Sequence, residues 1–362
     1  MLRAKERVFS IPIYHPPLAG RDGLRLDFNE NTVGCSPRVL DWLRQISFED
    51  LARYPEKAFA ERQMAEFLNV ADSELLLTNG TDEAIHLLCQ TYLEPGDQAL
   101  IVVPTYSMYR IYMMAADANV ICAPMGANFE FPFAALCEAV TDRTRLIAVA
   151  NPNNPTGTLA PLDQLLALAR LARQAAVLID EAYFEFCGKS VLAEKGKYSN
   201  IFVARTFSKA YGLAGLRVGA LIGDANQMVA VRRVCSPYNV NSVALACLPV
   251  ALEDREFVEK YVSEILESRT RLQEALQVAG VRYWPSEANF VLMRVGTTGD
   301  DARHFTERMR TQGILVRDRS ADYGCEGCVR ITLGPKNHTD KLLNALNATL
   351  EELSIAQGAP AR

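Results

Sequence analysis

One lysine, Lys209, lies in "RTFSKAYGLAGLRVG" (residues 205–219), between the hydroxyl residues Thr206 and Ser208 and, eight positions further on, Arg217. Hydroxyls and a guanidinium are suitable donors for a phosphate group, the guanidinium through charge-assisted bonds. A lysine amine in a partly desolvated pocket has a lowered pKa and becomes a nucleophile that forms imines with carbonyls. The bland alternative is a solvated lysine in a surface loop.

Four other stretches bear on that choice. In "NGTDEAIHLLCQ" (from 79), Gly80, Thr81 and Asp82 lead into a helix whose free N–H groups suit an anion, although a plain helix cap explains the stretch taken alone. In "PTYSMY" (from 104), Tyr106 offers a flat face on which an aromatic ring can stack; ordinary packing explains it equally well. "NPNNPTG" (151–157) holds two prolines that stiffen a loop around Asn154, an uncharged donor and acceptor. "VLIDEAYFEF" (from 177) ends an apolar run with Asp180, a carboxylate that needs a partner where it is desolvated. His15, His86, His304 and His338 are scattered, so no metal is expected and a cationic ring nitrogen is the better partner. An imine-forming lysine, a buried acid for a pyridinium and a phosphate cup are together what pyridoxal 5′-phosphate requires.

The elements that must position these residues are legible as an alternation. Apolar runs recur at "LLLT" (75), "QALIVVP" (98), "NVICAP" (119), "RLIAVAN" (145), "AVLID" (176), "NIFVART" (200) and "VGALIG" (218). Amphipathic stretches such as "PLDQLLALARLARQA" (161) lie between several of them. Seven strands, apolar throughout and alternating with helices, predict an α/β fold around a mainly parallel seven-stranded sheet, with ligands at the strand ends. After about residue 247 the texture changes: a long charged helix over 252–280, strands at "ANFVLMRV" (288), "GILVR" (313) and "CVRITL" (328), and helices near 301–312 and from about 338. This predicts a second, smaller α/β unit. The expected organisation is an N-terminal arm over 1–23, a small domain from 24–50 and 247–355, a large cofactor-binding domain over 51–246, and a flexible tail over 356–362.

With 362 residues, about half of them hydrophobic, the chain buries a large core. Its net charge of −5 and dispersed basic residues make nucleic acid an unexpected partner. No apolar run approaches the roughly 20 residues of a membrane span, and no secretory signal is read at the start, so the expected setting is cytoplasmic. Nine cysteines, an odd count, are expected to be reduced thiols. Cys325 and Cys328 form a C-x-x-C without the second ligand pair that zinc needs, and are read as incidental loop thiols.

The chain resembles the fold-type I pyridoxal-phosphate aminotransferases of classes I and II and, more narrowly, the histidinol-phosphate aminotransferase family. The resemblance covers about residues 24–345 and rests on "NEN", "RYP", "NGTDE", "PTYSMY", "NPNNPTG", "DEAYFEF", "RTFSKAYGLAGLRVG", "PYNVN", "EANF", "GILVRDRS" and "CVRITLG". It implies that Lys209 forms the imine, that Asp180 pairs with the pyridine nitrogen, and that Tyr183 and Asn154 bond the ring 3-oxygen. It implies Tyr106 stacked on the ring, Gly80, Thr81, Thr206, Ser208 and Arg217 around the cofactor phosphate, and Asp82 also among the cofactor-binding residues. Tyr54 would reach the phosphate site of a neighbouring subunit in a homodimer. Arg330 would bind the substrate α-carboxylate and Arg317 a distal phosphate, helped by Tyr14 of the arm, with Asn154 also beside the substrate. The activity implied is ping-pong transamination from histidinol phosphate to 2-oxoglutarate. A broad or aromatic aminotransferase and a threonine-phosphate decarboxylase are the alternatives. "NENTVG", Glu56 and "LGPKNHT" depart from the family's usual pattern, and they touch the substrate assignment rather than the cofactor residues.

Overall fold

A computed structural model describes residues 2, 4–14, 20 and 22–357, with side chains to residue 353. Within the expected arm, residues 15–19, His15 included, lie outside the described residues, as do 358–362 of the expected tail.

Thirteen strands are described: β1 (Leu24–Arg25), β2 (Leu75–Thr78), β3 (Gln98–Val103), β4 (Asn119–Pro124), β5 (Thr144–Ala150), β6 (Ala176–Asp180), β7 (Ile201–Thr206), β8 (Gly219–Ile222), β9 (Tyr283–Trp284), β10 (Phe290–Arg294), β11 (Ile314–Leu315), β12 (Arg317–Asp318) and β13 (Cys328–Thr332). All seven apolar runs of the first part form one sheet in the order β2-β8-β7-β6-β5-β3-β4. Strands β3 to β7 are parallel, and β8 alone runs against its neighbours β2 and β7. Strands β2, β6, β7 and β8 are buried at every residue, which explains why they read as unbroken apolar runs rather than alternating ones.

This topology gathers the site. The C-terminal ends of β2, β5, β6 and β7 point to one edge of the sheet. Because β8 is reversed, its N-terminal end reaches that same edge, with Gly219 in register between Thr78 and Thr206. Arg217, just before β8, therefore meets the loops that follow β2 and β7.

The second sheet is antiparallel, in the order β12-β13-β10-β9, and β1 pairs in parallel with β11. Leu26 donates to Leu315 and Thr332 donates to Leu26, so the segment after β1 is threaded beside these strands. One continuous buried cluster joins Ile147, Ile179 and Val203 of the large sheet to Phe290, Val329 and Phe305 of this second part.

The long charged helix differs from expectation. A helix over Ser242–Glu253 ends at Asp254, and a second runs over Arg255–Val278. Asp254 is non-helical (φ −88°, ψ 62°) and accepts a bond from Ser36, the N-cap of the helix Pro37–Leu43. The break is thus held by a residue more than 200 positions away, which local periodicity does not report.

Candidate active site

Between the sheet edge and the second part lies a cavity of about 650 Å³. Tyr14, Thr81, Asp82, Tyr106, Asn154, Asp180, Tyr183, Thr206, Ser208, Lys209, Arg217, Arg317 and Arg330 all border it. The structure therefore collects thirteen of the fifteen expected site residues around one space. Gly80 lies immediately behind Arg217. Tyr54 is elsewhere: it is exposed and stacked on Tyr238, ring centroids 4.3 Å apart.

One end of the cavity is a cup of donors. Gly80 opens the helix Gly80–Tyr92 with φ +72°, and a Cβ there would sit 2.6 Å from Nη2 of Arg217. Only glycine accepts both the backbone conformation and the guanidinium. Arg217 itself adopts φ +55° and is held by Asp82 (3.0 Å). The Thr206 and Ser208 hydroxyls are 3.0 Å apart, and the Ser208 N–H donates to Thr206 Oγ1 (3.2 Å). The Thr81 hydroxyl is buried and has no hydrogen-bond partner. A buried polar group left in that state is costly, so the cup is complete only with an acceptor in it.

Asp180 stands at the other end, at the tip of β6. Its Oδ2 accepts from the Tyr109 hydroxyl (2.6 Å) and its Oδ1 from the Ala182 N–H (3.1 Å). Burial pushes its pKa up to about 6, with the two hydrogen bonds opposing and Asp82 and Glu181 adding to the rise. The ring of Tyr106 meets Tyr109 edge-on at 5.7 Å, and its hydroxyl donates to Asp82 (2.8 Å). Asp82 thus joins Tyr106 to Arg217 rather than facing an anion itself. Tyr183 accepts from Asn29 Nδ2 (2.9 Å), which leaves its own O–H free to donate. Asn154 Oδ1 accepts from Arg330 (2.6 Å), which leaves its amide N–H groups available. Lys209 donates to the carbonyl of Phe28 (3.3 Å). Burial, with Arg330 and Arg217 nearby, lowers its pKa to about 8.

Three arginines face the cavity from the second part. Arg317 and Arg330 are direct cross-strand partners on β12 and β13 and so share a face. Arg330 is buried, donates to Asn154 and to the Asp27 carbonyl (2.7 Å), and has its Nε unpaired. Burial, with Arg319 and Arg317 adding repulsion, pushes its pKa down to about 9. Arg317 lies over the Phe28 ring at 5.3 Å. Among the described residues neither Arg317 nor Arg330 pairs with a carboxylate; Asp322 pairs with Arg319 instead (2.5 Å).

Tyr109, Asn29 and Arg319 are the participants that the motifs left unassigned. Each had a signal: Tyr109 is one helical turn from Tyr106, Arg319 is two residues along an extended segment from Arg317, and Asn29 begins "NEN". The Cys325 and Cys328 thiols are buried, and among the described residues no cluster fit for a metal occurs.

The family model for aminotransferase class I and II matches residues 21–346. The chain belongs to the class I and II aminotransferases. Among its relatives in that family is the histidinol-phosphate aminotransferase of Dehalococcoides mccartyi, 33% identical over 326 residues, 89% of each chain. Among solved structures, histidinol-phosphate aminotransferase from Sinorhizobium meliloti in complex with pyridoxal-5′-phosphate superposes with a TM-score of 0.88 at 25% identity, covering 98% of this chain and 99% of that one. L-threonine-O-3-phosphate decarboxylase from Porphyromonas gingivalis shares the fold at a TM-score of 0.76 and 24% identity, over 91% and 99% of the two chains. Aminotransferase and decarboxylase share this architecture, so the substrate has to be argued from side chains.

Proposed function

We propose that this aminotransferase uses pyridoxal 5′-phosphate to move the amino group of histidinol phosphate to 2-oxoglutarate. The residues present fit the cofactor. The unpartnered Thr81 hydroxyl, the Ser208 and Thr206 hydroxyls, the free N–H groups at the start of the helix after Gly80, and Arg217 form a cradle for its phosphate. Asp180 supplies a buried anion for the ring nitrogen, Tyr106 a face for the ring, and Tyr183 with Asn154 two donors for the 3-oxygen. When bound, the cofactor supplies an aldehyde that condenses with amines and a protonated ring that takes up the electron pair left by the Cα proton.

The chain's own residues do the rest. Lys209, lowered to about 8, holds an appreciable neutral fraction near neutral pH. Its Nζ is the nucleophile that links the cofactor and, once displaced by substrate, the base that takes the proton from the substrate carbon and returns it one position along. Asp180 keeps the ring nitrogen protonated through that transfer. The second half-reaction runs the same steps backwards with the keto acid in the same cavity.

The observation that carries the substrate reading is the cross-strand pair Arg317–Arg330, two guanidinium groups on one face of the cavity that pair with no carboxylate among the described residues. Histidinol phosphate has no carboxylate, so its phosphate must supply most of the anionic recognition. In the second half-reaction the same arginines receive a carboxylate of 2-oxoglutarate. Arg317→Ala is expected to weaken use of histidinol phosphate by roughly 2–4 kcal/mol, about 30- to 1000-fold in kcat/KM. An uncharged aromatic amino acid should be affected far less. Equal losses on both would favour a broad aromatic aminotransferase.

A homodimer completes the reading. Tyr54, Tyr238, Phe48, Leu51 and Phe59 are all exposed around the segment that includes "RYP". Such an apolar surface fits a two-fold contact in which Tyr54 of each subunit reaches the other's phosphate cradle.

A further inference from the structure

Tyr109 is wholly buried, yet it carries a hydroxyl where packing alone would be served by phenylalanine. A buried phenol is unfavourable unless its O–H finds a partner. The partner here is Oδ2 of Asp180, at 2.6 Å. An ionised carboxylate only accepts, so the phenol proton lies between the two residues and points at Asp180. The remaining oxygen is fixed by the Ala182 N–H. Both oxygens are therefore oriented, one by the backbone of β6's own loop and one by a side chain from the helix Ser107–Ala115.

That helix start also reaches the phosphate end. Tyr106 packs against the Tyr109 ring, donates to Asp82, and Asp82 in turn holds Arg217. The two tyrosines, one helical turn apart, tie the groups at both ends of the cavity to one short segment.

We propose that Tyr109 is a positioning residue for the reaction, whose hydroxyl keeps the Asp180 carboxylate oriented and ionised toward the cofactor's ring nitrogen. The proposal rests on reading the cavity as a pyridoxal-phosphate site. The charged and titratable groups around Asp180 make the need clear: Asp82 and Glu181 disfavour its ionised form, as does burial, while Tyr106 and Tyr183 also lie close by. Tyr109 is the side-chain donor that opposes them. Desolvation and the Asp180 carboxylate hold its own phenol well above the usual tyrosine range, so it remains a donor across the working pH.

The test is titration of the purified apoenzyme with pyridoxal 5′-phosphate from pH 5 to 8.5, followed by protein fluorescence, for native protein and Tyr109→Phe. Loss of a hydrogen bond to a charged group predicts about tenfold weaker binding at pH 7.5. Without the phenol, Asp180 holds its proton to a higher pH. The pH below which binding weakens should therefore move up by about one unit relative to native protein. In the holoenzyme kcat should fall with little change in the amine KM, because Tyr109 does not touch the substrate pocket's arginines. Native-like affinity and an unshifted pH profile in Tyr109→Phe would overturn the proposal. If that variant fails to fold, 3-fluorotyrosine at position 109 keeps the shape with a more acidic phenol. Its profile should shift to lower pH, and an unshifted profile would equally overturn the proposal. Failure of the native apoenzyme to bind the cofactor at all is a separate result, and it would remove the underlying reading as well.

Discussion

Asp180→Asn should stabilise the apoenzyme while disabling the enzyme. Burial raises the Asp180 pKa from the ordinary 3.8 to about 6. At about 1.4 kcal/mol per pKa unit, keeping this group ionised in the folded state costs roughly 3 kcal/mol. The sign follows from the raised folded pKa. The contribution is favourable in full below about 3.8 and is lost as pH rises through about 6. Asparagine carries no charge; its oxygen accepts from the Ala182 N–H and its amide donates to the Tyr109 oxygen, which leaves the buried Tyr109 O–H without its acceptor and takes back about 1 kcal/mol. Urea unfolding of cofactor-free protein at equal protein concentration should place Asp180→Asn roughly 2 kcal/mol above native protein at pH 8, with the gap falling below about 1 kcal/mol at pH 5. With saturating cofactor the order should narrow or reverse, because only the native carboxylate pairs with the ring nitrogen. A stability difference between variant and native apoenzyme that does not change between pH 8 and pH 5 would refute the claim that Asp180 is held ionised at the protein's expense.

Gly80→Ala would place a Cβ 2.6 Å from Arg217 Nη2 at φ +72°. It is expected to weaken cofactor binding about tenfold or more with the far-ultraviolet circular dichroism retained; unchanged affinity would contradict the cradle. Mixing Tyr54→Ala with Lys209→Ala subunits should restore activity, since a mixed dimer holds one site with both residues. No recovery, or an active monomer by sedimentation, would contradict shared sites.

The motifs reported the strand ends well because each segment's chemistry is local. A strand end, a turn residue and a helix start are consecutive in "LLLTNGTDE" and in "AVLIDEAY", so sequence neighbours are also site neighbours. The inner apolar runs were legible because a sheet covered on both faces favours apolar residues at every position, whereas the edge strand β4 is mostly exposed. What local reading missed depends on distant partners. Nothing around Tyr109 says that Asp180, 71 positions later, lies 2.6 Å from its hydroxyl. Nothing around Asp254 says that Ser36 will interrupt a helix there. The acids Asp318 and Asp322 stand close to Arg317 in the sequence, and nothing local decides whether Arg317 makes an ion pair with one of them. The register of β12 on β13 decides it, setting Arg317 at the cavity beside Arg330 and leaving Asp322 to Arg319. The reversed strand β8, which brings Arg217 to the cup, is likewise a property of the sheet and not of its own four residues.

The most direct measurement is glutamate formation from 2-oxoglutarate by the native holoenzyme with histidinol phosphate, histidinol and phenylalanine as alternative amines, with carbon dioxide release from threonine phosphate followed in parallel. Two arginines that read a phosphate predict a kcat/KM for histidinol phosphate about a hundredfold above that for histidinol, and no carbon dioxide. Equal rates with and without the phosphate, or carbon dioxide from threonine phosphate without glutamate, would contradict the account.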